Sequence, residues 1–285
     1  VIAINTIKAF SLMGLLTIIL VLMGRAFGGS SGALLFFIIA MGMNFISYFF
    51  SDKIAIMMTR SQPVSRAEAP ELYDIVKRLS ERANLPMPKL YITPSHQPNA
   101  FATGRNPSHA AVAVTQGIMQ MLNRNELEGV LAHELAHIKN RDILISTIAA
   151  ALAGAITMIG NMLQWTAMFG GLRGDDEEGG GIFGLIGTLF MAILAPIAAA
   201  LIQMAISRSR EFEADATGAR IAGHPDGLAN ALLRMEQAAR QIPMQLNPAA
   251  SHMFIVNPLS VQNIARLFST HPPIEERVRR LQNMR

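Results

Sequence analysis

The sequence predicts a mainly α-helical membrane protein: four transmembrane helices plus an α+β soluble part with a small sheet. Three observations lead there. Of the 285 residues 51% are apolar and only 15% are charged, against about 25% charged in soluble domains. The mean hydropathy is +0.32. The charges are also segregated, with residues 9–24, 26–51, 143–172 and 179–207 carrying none. A hydrocarbon core of ~30 Å needs ~20 predominantly apolar helical residues, so the charge-free runs place spans at Ile4–Met23, Ala33–Phe50, Ile143–Phe169 and Ile182–Ile206. The chain then divides into 1–51 (two spans), 52–142 (soluble), 143–207 (a transmembrane hairpin) and 208–285 (soluble).

The first span has a competing reading as a signal peptide. No A-x-A site follows it and a second span comes at once, which favours an anchor. Pro196 lies inside the fourth span, where it can bend the helix. Lys53, Arg60 and Arg66 follow the second span, and Arg208 and Arg210 follow the fourth, whereas Asp175–Glu178 sit in the Gly-rich loop between the third and fourth. Basic flanks collect on the cytoplasmic side, so both soluble blocks are expected there. A formal charge of +4 is too small to suggest nucleic-acid binding. With no cysteine, thiolate ligands are excluded and any metal must be held by His, Asp or Glu.

In the first soluble block, Ala69–Asn84 reads as an amphipathic helix, with Leu72, Ile75, Val76 and Leu79 on one face and Pro70 in the first turn. Short strands follow at Lys89–Thr93, Ala100–Gly104 and Ala110–Thr115, separated by Pro, Asn and Gly. The next helix continues through Lys139, with Asn125 and Glu128 as a capping box. In the second block, Ser209–Ala222, Gly227–Gln241 and Ile274–Gln282 read as helices. Ile242–Ser260 reads as irregular, a candidate lid.

The helix ending at Lys139 contains His133-Glu134-Leu135-Ala136-His137. Residues i and i+4 share a helix face, so both imidazoles can reach one Zn²⁺ at ~2.0–2.1 Å. Glu134 stands beside them, within reach of a water that the metal acidifies. Chance alone would produce this pattern in roughly one such sequence in a hundred. Catalytic zinc takes three protein ligands and keeps a fourth position open. The third ligand is sought in Glu211-Phe212-Glu213-Ala214-Asp215. His137 precedes the third span by six residues and Glu211 follows the fourth by five, so two spans return the chain to the same membrane face and a similar depth. Glu211 is assigned as the ligand, and Asp215, one turn on, as the carboxylate that orients a histidine. Glu213 or Asp215 as ligand remains the alternative.

Asn99-Ala100-Phe101-Ala102 is a short strand that can pair an extended peptide through a free edge, or simply be an ordinary strand. His271, in Ser269-Thr270-His271-Pro272-Pro273, and Arg277 beyond it are candidates to stabilise the oxyanion.

These motifs, in this order, resemble the HtpX family of membrane zinc metallopeptidases, gluzincins related to the CAAX prenyl proteases. The resemblance spans essentially the whole chain. It implies a zincin-like catalytic domain with one Zn²⁺ per chain, held by His133, His137 and Glu211. Glu134 would be the base, Asp215 would orient a ligand and Asn99–Ala102 would bind substrate. His271 and Arg277 would stand near the site. The implied activity is endopeptidase cleavage of misfolded or damaged membrane proteins, at the cytoplasmic face of a bacterial inner membrane and linked to stress. Its partners would be polypeptide substrates and the lipid bilayer, with no nucleic acid. Three rival readings are weighed: a membrane adaptor with structural zinc, a channel or transporter, and a CAAX-type processing protease. No fourth ligand is evident for a closed structural site, and the third and fourth spans carry no ionisable residue for an ion path.

Overall fold

The computed structural model describes residues 2–149, 152, 156, 208–242, 253–256 and 272–284. The fourth expected span and His271 lie outside these residues. So does most of the third span, of which 143–149, 152 and 156 are helical.

The chain opens with helix α1 (Ile2–Phe49), interrupted at Gly28 and Gly29. Gly29 has φ 58 and ψ −142, a conformation essentially restricted to glycine, and the helix folds back there on itself. The two arms run antiparallel. Asn44 donates to the Met13 carbonyl at 3.3 Å and to Thr17 Oγ1 at 2.8 Å, and the Phe10 and Tyr48 rings lie 5.9 Å apart. Among the described residues one helix, Gly28–Phe49, is long and apolar enough to cross a membrane; Thr6–Leu22, where the first span is expected, is apolar but shorter. Ala9, Leu12, Leu16 and Leu20 of the first arm are buried against Ala40 and against Leu144, Ile145, Ile148, Leu152 and Ile156 of the third charge-free run. Outward-facing Phe10, Ile18, Leu22, Leu34, Ile38 and Phe45 remain exposed, a pattern suited to a lipid solvent and costly in water.

Helix α2 (Ser51–Met58) follows, then β1 (Gln62–Pro63), α3 (Pro70–Ala83), β2 (Lys89–Thr93), β3 (Ala100–Gly104) and β4 (Ala110–Thr115). The strand order is β1-β2-β4-β3. β2 and β4 are parallel, and the outer pairs are antiparallel. β3 is therefore an edge strand. After the short α4 (Gln116–Met121) comes α5 (Arg124–Asn140). The cap of α5 differs from expectation: Asn123, not Asn125, closes the box, with Glu126 as its partner. Glu128 is instead drawn to Arg78 of α3 at 2.7 Å. Both Asn-x-x-Glu frames exist in the sequence, and Glu126 closes the box while also pairing with Arg234.

Helices α6 (Arg208–Ala222), α7 (Asp226–Gln241) and α8 (Ile274–Gln282) complete the described fold. α5 is buried nearly all round, because α3, α6, α7 and β3 all pack against it. One core joins Leu72, Ile75 and Leu79 to Val130, Leu131, Leu135, Leu228, Leu232 and Leu281.

Candidate metal centre and active site

The site is built where α5 meets α6. At Gly218 a Cβ would stand 2.9 Å from both the Cα and the N of His133. Hydrogen in the place of a side chain lets the two backbones approach, and the approach brings Glu211 and Asp215 opposite the α5 histidines.

His133 Nε2 and His137 Nε2 lie 3.1 Å apart. Glu211 reaches both, with Oε2 at 3.8 Å from His133 Nε2 and Oε1 at 3.6 Å from His137 Nε2. The three donors fall within 4.8 Å of one another. Ligands at ~2.0–2.2 Å around a tetrahedral ion lie roughly 3.4 Å apart, so the residues fit a metal. Two ring nitrogens facing each other at this distance need a shared cation or proton between them.

Each histidine has its own carboxylate behind it. Asp215 Oδ1 lies 2.9 Å from His133 Nδ1 in a close, angled contact. Asp142 Oδ2 lies 3.1 Å from His137 Nδ1. Such partners fix the tautomer and the direction of a ligating ring. Asp142 escapes the sequence reading. It is placed by Arg141, which ends α5 in the left-handed conformation with φ 55, so that the next residue turns back under His137. The signal available was an acidic residue just beyond the second histidine, which spacing alone does not distinguish from a surface charge.

Arg277 of α8 is fully buried. Its Nε donates to Asp215 Oδ2 at 2.9 Å and its Nη2 to Oδ1 at 2.6 Å, while Nη1 donates to the Ile255 carbonyl at 3.2 Å. Nη2 also stands 3.5 Å from His133 Nε2. The guanidinium thus holds Asp215, which holds His133. Glu213, the alternative ligand of α6, is exposed on the opposite face.

Burial pushes the Glu134 carboxyl up to about 7, where it can take a proton and return it. The Ala102 backbone N–H donates toward this carboxylate. Burial pulls the His133 imidazole below its ordinary range. Burial acts the same way on His137, but the carboxylates of Asp142, Glu211 and Glu134 outweigh it and hold that imidazole up at about 10. Burial would raise Asp215, yet Arg277 and His133 hold it at about 2. The field of the site favours positive charge, and a divalent cation satisfies it as a proton on His137 does. The cleft has a volume of about 40 Å³ and is lined by Ala102, Glu134, Ile143, Ser146, Met253 and Ile255 together with the three candidate ligands.

Residues 66–285 match the family described as Peptidase family M48. The chain belongs to peptidase family M48. It is 68% identical over 280 residues to a protease HtpX homolog of Pelotomaculum thermopropionicum, covering 98% of this chain and 99% of that one. It is 56% identical over 274 residues to a protease HtpX homolog of Thermococcus kodakarensis, covering 96% and 93%. Among solved structures, the crystal structure of S. mikatae Ste24p matches with a TM-score of 0.53 at 17% identity, covering 98% of this chain and 66% of that one. That likeness concerns the fold. As an M48 peptidase of the HtpX type the chain is a metalloprotease, and among the described residues His133, His137 and Glu211 form a group that could hold a metal ion.

Proposed function

We propose that this M48 peptidase is a membrane-bound, zinc-dependent endopeptidase that cleaves misfolded or damaged membrane proteins at the cytoplasmic face, as part of a stress response. One observation carries the membrane-substrate reading. The metal cleft is lined by Ile143 and Ser146, the opening residues of the third charge-free run, so the chemistry sits at the head of a membrane helix. Thr103 at the end of β3 lies 3.2 Å from Thr147 of the same run, which ties the edge strand to that depth. The basic flanks at Lys53, Arg60 and Arg66 support a cytoplasmic site. The four-span topology, with soluble blocks at 52–142 and 208–285, belongs to the same proposal.

His133, His137 and Glu211 would hold a zinc ion, which would supply Lewis acidity for a scissile carbonyl and an attacking water. Glu134 accepts the proton of that water and passes it to the leaving amine. Asp215 and Asp142 aim the two imidazoles, and Arg277 acts through Asp215 rather than on the substrate. The outer edge of β3 holds the peptide extended. His271, from its motif, supports the developing oxyanion.

The test uses protein reconstituted in vesicles with a tagged single-pass membrane substrate. Wild type should cleave it and a chelator should stop cleavage. Glu134→Gln should retain one zinc per chain and lose cleavage. Full cleavage by Glu134→Gln, or cleavage of soluble casein only, would contradict the proposal.

A further inference from the structure

The β3 edge assigned to substrate is already partly occupied by the chain itself. Ile255 N–H donates to the Ala100 carbonyl at 3.1 Å. Val256 N–H donates to Asn99 Oδ1 at 3.2 Å, and Asn99 Nδ2 donates to the Val256 carbonyl at 2.7 Å. Arg277 Nη1 holds the carbonyl of Ile255 between these contacts. The segment is an irregular turn rather than a strand. Met253 and Ile255 face the metal cleft, on a wall shared with Ala102. Phe254 packs edge-on against Phe101 with ring centroids 5.0 Å apart, in a cluster with Ala55, Ala113 and Met253, so Met253 touches both this cluster and the cleft.

Asn99, Phe254 and Arg277 are each 0% exposed. Lifting residues 253–256 would strand the Asn99 amide and an Arg277 donor in a dry interior and expose Phe254, which is unfavourable on all three counts. The observations therefore favour a fixed wall over a displaceable cover. Because Asn99 and Ala100 are engaged, an incoming peptide can pair no earlier on β3 than Ala102, whose own N–H turns toward Glu134, while the Gly104 N–H donates to Thr147 Oγ1 at 3.4 Å.

We infer that Met253 and Ile255 are specificity-determining residues, forming a permanent wall that restricts a substrate residue flanking the scissile bond to small side chains. This rests on the β3-edge reading of substrate pairing. The apolar bulk of Met253 and Ile255 lines the cleft beside Glu134 and Ala102, where a large flanking side chain would have to compete with it for space. Pocket walls of this kind discriminate by ~10–200-fold per methylene-sized change.

Two measurements test it. In the first, a peptide library varied on both sides of the cut is digested by wild type, Ile255→Ala and Met253→Ala, with Ile255→Val as a milder substitution should the others fail to fold. Wild type should prefer Ala over Phe at one flanking position by about tenfold or more in kcat/KM, and the truncations should reduce that preference to about threefold or less. Equal preferences in wild type and variants overturn the proposal. In the second, hydrogen exchange is followed at the Ile255 and Val256 amides of zinc-loaded Glu134→Gln saturated with an extended peptide, whose binding is read by fluorescence anisotropy. Retained protection is expected. Accelerated exchange on binding means that the segment is displaced, and overturns the wall. A peptide that binds without touching the exchange of β3 removes the edge reading itself, a distinct outcome.

Discussion

Gly218→Ala isolates the close approach that assembles the centre. The new methyl would stand 2.9 Å from the His133 Cα and N, where ordinary contact is roughly 3.4–4 Å. Both obstructing atoms are backbone in the middle of a buried helix, so α6 must move by about 0.5–1 Å or the helices must bend. Overpacking of this kind destabilises by about 1–3 kcal/mol. The movement acts on ligand geometry too, because Asp215 and Glu211 lie one and two turns upstream on the same rigid helix. Displacing Glu211 and Asp215 together should weaken metal binding by about 10–100-fold. The assay is competition with a chromophoric chelator on purified protein, alongside the urea midpoint of the metal-free form. Gly42→Ala is the control, since nothing lies within 4 Å of its Cβ position and Ala favours helix. Wild-type metal affinity in Gly218→Ala would refute the claim that backbone contact positions the ligands.

Asp142→Ala should lower metal affinity by about 10–100-fold while preserving the fold, with Asp142→Asn closer to wild type; equal affinities would show that His137 needs no partner. The folded pKa of Asp215 is depressed, so its stabilisation is fully present above the unfolded value of 3.8 and is lost as pH falls toward about 2. It amounts to about 2 kcal/mol. The stability gap between metal-free wild type and Asp215→Asn should therefore narrow from pH 4 to pH 2 in urea titrations, and a constant gap would contradict the assignment. Asn123→Ala removes the observed cap of α5 and should lower stability by about 1 kcal/mol, whereas Asn125→Ala should change it little; the reverse order would restore the frame expected from sequence. Arg277→Ala leaves Asp215 buried without its cation and should destabilise by about 3–5 kcal/mol, read from the thermal midpoint in detergent.

The legible part of the fold is its local part. β2, β3 and β4 fall where the β-branched and small apolar runs between Pro, Asn and Gly place them. Ile274–Gln282 is the short helix expected there. The short α2, β1 and α4 carry too few residues to show a period. The pairing of His133 with His137 follows from helical geometry alone, since four residues return to the same face whatever the tertiary context. Glu211 was expected from the charge-free runs that separate it from His137, and the structure brings it within 3.8 Å of His133 Nε2 and 3.6 Å of His137 Nε2.

The class of chemistry is legible from residues alone: two imidazoles and the Glu134 carboxylate within one stretch of helix, and a cysteine-free chain whose metal must be bound by nitrogen and oxygen. These depend on short-range spacing and on ligand chemistry, both of which are properties of a few adjacent residues. Which carboxylate stands behind each histidine, and which residues line the cleft, follow from the packing. Asp142 serves His137 because a left-handed residue turns the chain, and Asn99 holds Val256 across a separation of 157 residues. Such contacts have no period and no fixed spacing. They exist because burial requires each polar group to find a partner, and which partner is within reach is settled only once the helices have packed.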